Sequence, residues 1–223
     1  MTRKTVAIAS LLVVASIVAA ALVAGSMLPA TMRLPIHWGI TGEADGFAGK
    51  WIALLAPAAM TAGVSLLFYF LPALEPRREG LERSQGLYLW GWIAILLMGV
   101  VIEVVLLSTA FGWGLRVYHL IVGAVGIMLI MIGNQLGKSR SMYLIGLRTP
   151  WTLASEEVWI KTHRLSGKLM VACGLIMIVA ALLPLPSGAL ATAVIVCIAI
   201  SASVPILYSF LLWRRERSGQ PSG

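Results

Sequence analysis

The chain has 223 residues, of which 59% are hydrophobic and only 12% are charged. A soluble domain carries about 25% charged residues, and a soluble fold of this size has too little polar surface to cover so many apolar side chains. The composition therefore excludes a typical soluble enzyme, a disordered chain and a disulfide scaffold, and indicates an integral membrane protein. We attribute the net charge of +8 to basic residues that flank membrane spans, and we expect no direct binding of nucleic acid.

Six apolar runs are each long enough to cross a bilayer, which takes about 20 residues of helix. The spans are predicted at residues 6–28, 51–74, 86–108, 115–136, 165–183 and 188–213. The first run is longer than the apolar core of a signal peptide, so we predict that it is retained as a span. The predicted fold class is an all-α integral membrane protein with six transmembrane helices.

The distribution of basic residues predicts the orientation of these spans. Fourteen of the 17 Lys and Arg residues flank the spans on one side, and only Arg33, Lys50 and Arg116 lie on the other. Cytoplasmic loops of membrane proteins carry an excess of Lys and Arg. We therefore predict that both termini are cytoplasmic.

We divide the chain into an N-terminal two-span module, residues 1–85, and a C-terminal four-span module, residues 86–223. The first module contains an extracytoplasmic loop, residues 29–50, which is rich in Gly and Pro. Residues 42–46 (Gly-Glu-Ala-Asp-Gly) are predicted to form a tight turn. We interpret this loop as a structured lid over the outer mouth of the bundle. The spacing of His37, Glu43 and Asp45 matches no known metal site, so we predict no bound metal.

The cytoplasmic loop between the fourth and fifth spans, residues 137–164, contains helix-start signals. Pro150 ends the preceding segment, and Thr152 or Ser155 can cap a new helix. We predict a short interfacial helix before the fifth span, with four residues on one face. That face consists of Trp151, Ser155, Trp159 and His163.

Arg148 is the residue of this loop that we single out. It follows a predicted turn and precedes the helix start. Three roles are open for its guanidinium: pairing with Glu156 or Glu157, binding the carbonyl groups that end the fourth span, or anchoring to lipid phosphate.

One acidic residue lies within a predicted span. Glu103 is near the outer end of the third span, and Arg116 and His119 begin the fourth span. A carboxylate at membrane depth requires a partner, so we predict that Glu103 pairs with Arg116 or His119. The cluster is either an interhelical ion pair or a proton-handling site, and the second interpretation gives a small transporter or channel as the alternative function.

The sequence contains no recognised catalytic or cofactor motif. There is no HExxH or CxxC motif and no Ser/His/Asp arrangement, and Cys173 and Cys197 lie in apolar runs. An enzyme that uses His37 or His163 as a general base is therefore disfavoured. We predict no enzymatic activity and no cofactor.

Both loops resemble the SdpI family of bacterial membrane proteins. Residues 28–51 resemble the N-terminal module of that family, through the positions Pro29, Pro35, His37, Trp38, Gly42, Gly49, Lys50 and Trp51. Residues 133–167 closely resemble its C-terminal signature. The signature residues are Asn134, Arg148, Thr149, Pro150, Trp151, Trp159 and His163.

The resemblance implies a multi-pass protein of the bacterial cell membrane with an immunity function. The founding family member protects a toxin-producing cell from its own secreted peptide toxin, and it recruits a small repressor to the membrane. The implied partners are the lipid bilayer, a peptide toxin outside and a repressor protein inside, and the oligomeric state stays open. The predicted toxin contacts are His37, Trp38, Gly42, Glu43 and Asp45.

Overall fold

A computed structural model of the chain describes residues 1–39 and 42–219. The elements in chain order are α1 (Arg3–Met27), β1 (Arg33–Trp38), β2 (Ala44–Gly49), α2 (Lys50–Leu74), α3 (Arg78–Arg83), α4 (Gln85–Phe111), α5 (Val117–Leu136), α6 (Pro150–Ala154), α7 (Glu156–Leu182) and α8 (Ser187–Ser218). Within these described ranges, six helices are long and apolar enough to cross a membrane: α1, α2, α4, α5, α7 and α8. The predicted all-α membrane fold with six spans is confirmed.

The bundle has two distinct ends. The antiparallel strands β1 and β2 form a hairpin between α1 and α2, at what we call the hairpin end. The opposite end, which we call the termini end, contains α3, α6 and residues 138–149, which we call the inner loop. Val6 near the N-terminus shares a cluster with Trp159 at this end, and Glu216 near the C-terminus contacts Ser155.

A short helix precedes the fifth span, as predicted, but the chain breaks directly after it. The helix α6 is capped by reciprocal bonds: the Thr149 hydroxyl accepts from the N–H of Thr152, and the Thr152 hydroxyl accepts from the N–H of Thr149. Ser155 is extended, and its hydroxyl caps α7 by accepting from the N–H of Val158 at 3.2 Å. The predicted continuous helical face is therefore divided: Trp151 belongs to α6, whereas Trp159 and residue 163 belong to α7.

Glycines allow α5 and α7 to pack closely, and this is the most extensive helix contact in the described part of the chain. A Cβ atom added at Gly133 would lie 2.8 Å from the carbonyl oxygen of Gly167. One added at Gly126, two turns earlier, would lie 2.8 Å from the carbonyl oxygen of Gly174. Small residues at such crossings let two helix backbones approach within a membrane.

The buried apolar side chains form three clusters. One lies at the termini end and includes Trp92 and Trp159, and a second lies at the hairpin end around Leu34 and Leu54. The third joins α5, α7 and α8 around Met177. The helix α4 contacts α1 and α2 on one side and α5 on the other, so it connects the two groups of helices.

We predict that Gly133→Ala destabilises the protein by about 1–3 kcal/mol, because the new methyl group overpacks the backbone of α7. Thermal unfolding of the purified protein in detergent measures this effect. The matched control is Gly123→Ala, also on α5, where the added Cβ would lie 3.5 Å from Ala181 in ordinary contact. This control should be neutral or stabilising, because Ala favours a helix over Gly by about 1 kcal/mol. Equal melting temperatures for the two variants would contradict the proposed role of Gly133.

Candidate functional site

The loop predicted as a lid is a β-hairpin packed on the bundle. Leu34 of β1 is buried and contributes to the cluster at the hairpin end. The Arg33 guanidinium donates to the carbonyl oxygen of Phe47 at 2.8 Å, across the two strands. The predicted turn at residues 42–46 is wrong in its position, because Ala44 already begins β2. The turn instead lies around Gly39, whose N–H donates to the carbonyl of Glu43 at 2.9 Å.

The base of the hairpin is fixed by Lys50, the first residue of α2. Its buried ammonium donates to the carbonyl oxygens of Gly25 at 2.6 Å and Leu28 at 2.5 Å. These carbonyls belong to the C-terminus of α1, where a positive charge is favoured by the helix dipole. Lys50 therefore connects α1 to α2 directly below the hairpin.

The tip of the hairpin reaches the second group of helices. Gly42 has a φ of +82°, a left-handed conformation that favours glycine. A Cβ atom there would lie 2.7 Å from the side chain of Ser187 and 3.7 Å from that of Tyr118. Ser187 begins α8 and Tyr118 lies in the first turn of α5. Residues 40 and 41 of the predicted lid lie outside the described residues.

Three of the five predicted toxin-contact residues, His37, Glu43 and Asp45, are exposed on the hairpin. His37 Nδ1 lies 2.5 Å from an Asp45 carboxylate oxygen, and their side chains are 71% and 54% exposed. Glu43 is also exposed, whereas Trp38 is half-buried against the hairpin-end cluster. Within residues 1–39 and 42–219, no three His, Cys, Asp or Glu side chains are arranged to hold a metal ion.

Glu103 does not pair with Arg116 or His119, contrary to the prediction. Its side chain is buried, and neither carboxylate oxygen has a hydrogen-bond partner among the described residues. It lies on the α4 face that packs on α2, because Gly99 one turn earlier contacts Thr61 of α2. Arg116 and His119 instead contact each other, with nitrogen atoms 3.4 Å apart, at the exposed start of α5.

At the termini end, a buried carboxylate organises the inner loop. Glu75, directly after α2, accepts hydrogen bonds at one oxygen from the N–H groups of Arg77 and Tyr143, both at 2.9 Å. Its second oxygen accepts from the N–H of Leu144 at 2.8 Å. One buried side chain thus satisfies three backbone donors, two of the inner loop and one of the corner that follows α2. Glu75 is a position that the sequence pattern did not reveal; the available signal was an acid directly after a span, next to basic residues.

The side chain of Arg77 fastens the same loop from the other side. Its guanidinium donates to the Ser141 hydroxyl, to the Tyr143 hydroxyl at 3.2 Å and to the carbonyl of Leu153 at 3.3 Å. It also lies over the Tyr143 ring, 4.5 Å from the ring centre. The corner between α2 and α3 therefore contacts both the inner loop and α6.

His163 and Trp159 form the buried floor under this loop. The two rings stack with their centres 3.9 Å apart. The N–H of Leu147 donates to His163 Nε2 at 2.9 Å, so Nε2 is unprotonated and Nδ1 carries the hydrogen that it donates to the Trp159 carbonyl. Gly146, with φ of +112°, lies against both rings, where a Cβ would be 2.7 Å from His163 Nε2. The signature residues Trp159 and His163 are thus buried loop supports.

The remaining signature residues have varied positions. Arg148 is exposed and donates to the carbonyl of Tyr143 at 2.7 Å. It does not pair with Glu156 or Glu157, and the latter pairs with Lys161 one turn later. Asn134 on α5 and Pro150 at the start of α6 are exposed.

The last of these residues, Trp151, connects α6 to α8. Its indole N–H donates to the Ser209 hydroxyl, and its ring packs edge-on against Phe210 with ring centres 5.3 Å apart. Ser155 also donates to Glu216 of α8 at 3.2 Å. The C-terminal helix is therefore joined to the inner loop.

A polar cleft of about 430 Å³ opens beside the inner loop. Its lining includes Arg77, Arg78, Arg83, Arg140, Glu79 and Glu156. Both acids pair with arginines of the same cleft: Glu79 with Arg83 at 2.7 Å and Glu156 with Arg140 at 4.0 Å. The termini end thus presents a predominantly basic recess.

Comparison with known proteins supports the resemblance noted in the two loops. The SdpI/YfhL protein family matches residues 138–209, and a domain of unknown function, DUF1648, matches residues 11–61. Immunity protein SdpI of Bacillus subtilis (strain 168) is 28% identical over 147 residues, which cover 66% of this chain and 68% of that protein. No solved structure matches the chain. The resemblance to the SdpI family is confirmed; the matched segment contains the signature from Arg148 to His163, and Asn134 lies outside it.

We predict that Glu75→Gln destabilises the protein by about 1–3 kcal/mol, because an amide replaces one carboxylate acceptor and leaves a buried backbone N–H unsatisfied. Limited proteolysis at the inner loop and thermal unfolding in detergent measure this effect. Glu79→Gln is the matched control, because this side chain is 76% exposed and its pair with Arg83 lies on the surface. Equal protease resistance of the two variants would show that the inner loop does not depend on Glu75.

Proposed function

We propose that this membrane protein, which resembles the SdpI/YfhL family, neutralises a secreted peptide toxin and signals to a cytoplasmic repressor. The name of the Bacillus subtilis relative supports an immunity function. The observation that carries the toxin proposal is the exposed hairpin surface of His37, Glu43 and Asp45. It is a polar surface at the end of the bundle that the distribution of Lys and Arg predicts to face the outside of the cell.

The hairpin suits recognition of a peptide because its backbone is already ordered. Leu34 is buried beneath it and Lys50 fixes its base. The hairpin therefore loses little conformational entropy when a ligand binds its exposed strands. The unpaired edges of a two-stranded sheet also offer N–H and C=O groups to an extended peptide. We propose that the toxin is bound across this surface.

Signalling requires that the two ends of the bundle be coupled. The hairpin tip at Gly42 contacts the first turns of α5 and α8. At the termini end, α8 is bonded to Trp151 and Ser155 through its residues Ser209 and Glu216. We propose that displacement of the hairpin tip moves α8 and thereby reshapes the inner loop and its basic cleft, where a repressor is recruited.

The proposal predicts that this protein protects a toxin-sensitive Gram-positive host against the toxin to which Bacillus subtilis SdpI confers immunity. His37→Ala should lower the tolerated toxin concentration by about tenfold, the effect of losing one charge-assisted contact. Growth of wild type, variant and empty vector over a toxin series measures this effect, with membrane abundance checked by immunoblot.

The control for this assay is Ser26→Ala, an exposed position at the same end of the bundle but outside the hairpin, where full protection is expected. If wild type gives no protection at matched abundance, neutralisation of this toxin is refuted. If His37→Ala protects as well as wild type, the hairpin is not the surface that binds it.

A small transporter or channel is the second candidate function, because Glu103 is a buried carboxyl group without a partner among the described residues. An isolated charged carboxylate is costly in an apolar interior, so residues of this type in spans commonly mark ion or proton pathways. Arg116 and His119 do not join it; they line a separate apolar recess between α4, α5 and α7.

If Glu103 handles protons, the internal pH of proteoliposomes that contain the wild-type protein changes under an imposed proton gradient. A pH-sensitive dye inside the liposomes measures this change. Glu103→Gln should reduce this flux to the level of empty liposomes, whereas His119→Gln, in the separate recess, should retain it. Equal rates for wild-type, Glu103→Gln and protein-free liposomes would contradict a transport function.

A further inference from the structure

A groove of about 640 Å³ runs along the bundle surface between α1 and α2, with α4 at its floor. The rim consists of exposed apolar and aromatic side chains: Ile8, Leu11, Leu66 and Tyr69. The floor contains Ser10, Ser65 and Trp92, which are buried. Because all three helices cross the membrane, this groove opens toward the lipid.

Two polar groups on the floor have no partner in the described part of the chain. Trp92 is 1% exposed and Ser65 is 7% exposed, yet neither the indole Nε1 nor the Ser65 hydroxyl has a hydrogen-bond partner. A buried donor left unsatisfied costs about 1–3 kcal/mol. The indole N–H can only donate, so the missing partner must be an acceptor. Ser10 on the same floor is satisfied internally, by the Val6 carbonyl at 2.8 Å.

Positive charges lie at one mouth of the groove. Lys4 lines it, and the Arg3 guanidinium lies 5.0 Å from the centre of the Tyr69 ring at its rim. No acidic side chain within residues 1–39 and 42–219 pairs with Arg3 or Lys4. An anion is therefore the complementary group at this mouth.

The chemistry changes in order along the groove. The cations Arg3 and Lys4 come first, and Trp92 and Ser65 lie deeper, since each is several residues inside its helix. Along α1, opposite them, the lining is apolar apart from Ser10 as far as Val14, about 15 Å from Lys4 at a rise of 1.5 Å per residue. A ligand with an anionic head group, a hydrogen-bond acceptor and an apolar tail would match this order.

We propose that the groove binds one anionic glycerophospholipid. Its phosphate contacts Lys4 and Arg3, an ester carbonyl accepts from the Trp92 indole, and an acyl chain occupies the apolar part between α1 and α2. A segment of a transmembrane peptide fits less well, because a helix is about 10–12 Å in diameter and its backbone carbonyls are already bonded internally. The lipid closes a gap between α1 and α2, the two helices that Lys50 joins below the hairpin at the opposite end.

The test is native mass spectrometry of the full-length protein in mild detergent, titrated with phosphatidylglycerol or phosphatidylcholine that carry identical acyl chains. We expect a single phosphatidylglycerol to remain bound, with at least about fivefold tighter binding than phosphatidylcholine, from the contribution of one lysine near the lipid surface. Lys4→Gln should remove this preference. Trp92→Phe, which keeps an aromatic ring but lacks the donor, should weaken binding of both lipids.

The matched controls are Lys168→Gln, a basic residue away from the groove, and Trp90→Phe, an exposed tryptophan on the same helix. Both should bind phosphatidylglycerol as wild type does. Ser65→Ala provides a second test of the floor if Trp92→Phe does not fold. Equal affinity for the two lipids, or unchanged preference in Lys4→Gln, would overturn the proposal, as would unchanged binding in both floor variants.

Discussion

The carboxylate of Glu75 is the interaction on which the termini end depends. It accepts from three backbone N–H groups, two of which belong to the inner loop. Where a loop packs on helix ends, the backbone donors that face the protein need an acceptor from the protein itself. By meeting that requirement from the end of α2, Glu75 ties the inner loop, which follows α5, to the first pair of spans. The adjacent Arg77 extends this connection to α6.

The inner loop in turn rests on α7 and is joined through α6 and Ser155 to the C-terminal end of α8. His163 supports it from below through the N–H of Leu147, and Trp159 packs on His163. Above it, Trp151 and Ser155 connect to α8. Four of the six spans, α2, α5, α7 and α8, therefore meet at this end through polar side chains, directly or through the loop. In the middle of the membrane, α5 and α7 meet through glycine backbones. In the middle of the membrane the helices are held by close packing, whereas at the termini end they are held by hydrogen bonds.

At the hairpin end, too, a buried charged side chain bonds backbone groups, but the charge is positive. The Lys50 ammonium binds the carbonyl oxygens that end α1, as Glu75 binds N–H groups beyond α2. Each buried charge thus satisfies backbone groups of the complementary sign, which limits its desolvation penalty. Between these anchored ends, at the proposed lipid groove, Ser65 of α2 and Trp92 of α4 each leave a buried polar atom without a partner among the described residues. The proposed toxin surface and the proposed lipid site therefore belong to the same pair of helices.

Several features followed from the sequence alone. Runs of about 20 apolar residues identified all six spans, because hydrocarbon thickness leaves few alternatives for such segments. Thr152 and Ser155 predicted a helix start because capping is local chemistry between neighbouring residues. Ser155 does cap α7, whereas the N-cap of α6 is Thr149 and not Thr152. The patterned residues of the two loops indicated a resemblance to the SdpI family, and the comparisons confirm this resemblance.

Only the tertiary structure decided which polar groups meet. The roles of Glu75 and Lys50 depend on partners more than 20 residues away, at Tyr143 and at Gly25 and Leu28. The sequence predicts that Glu103 pairs with Arg116 or His119, because all three lie near one end of adjacent spans. In the structure Glu103 lies on the face of α4 that packs on α2 and pairs with neither. Hydropathy specifies that a helix crosses the membrane and approximately where it ends. The direction in which each side chain faces depends on the packing of all six helices, and no local pattern contains that information.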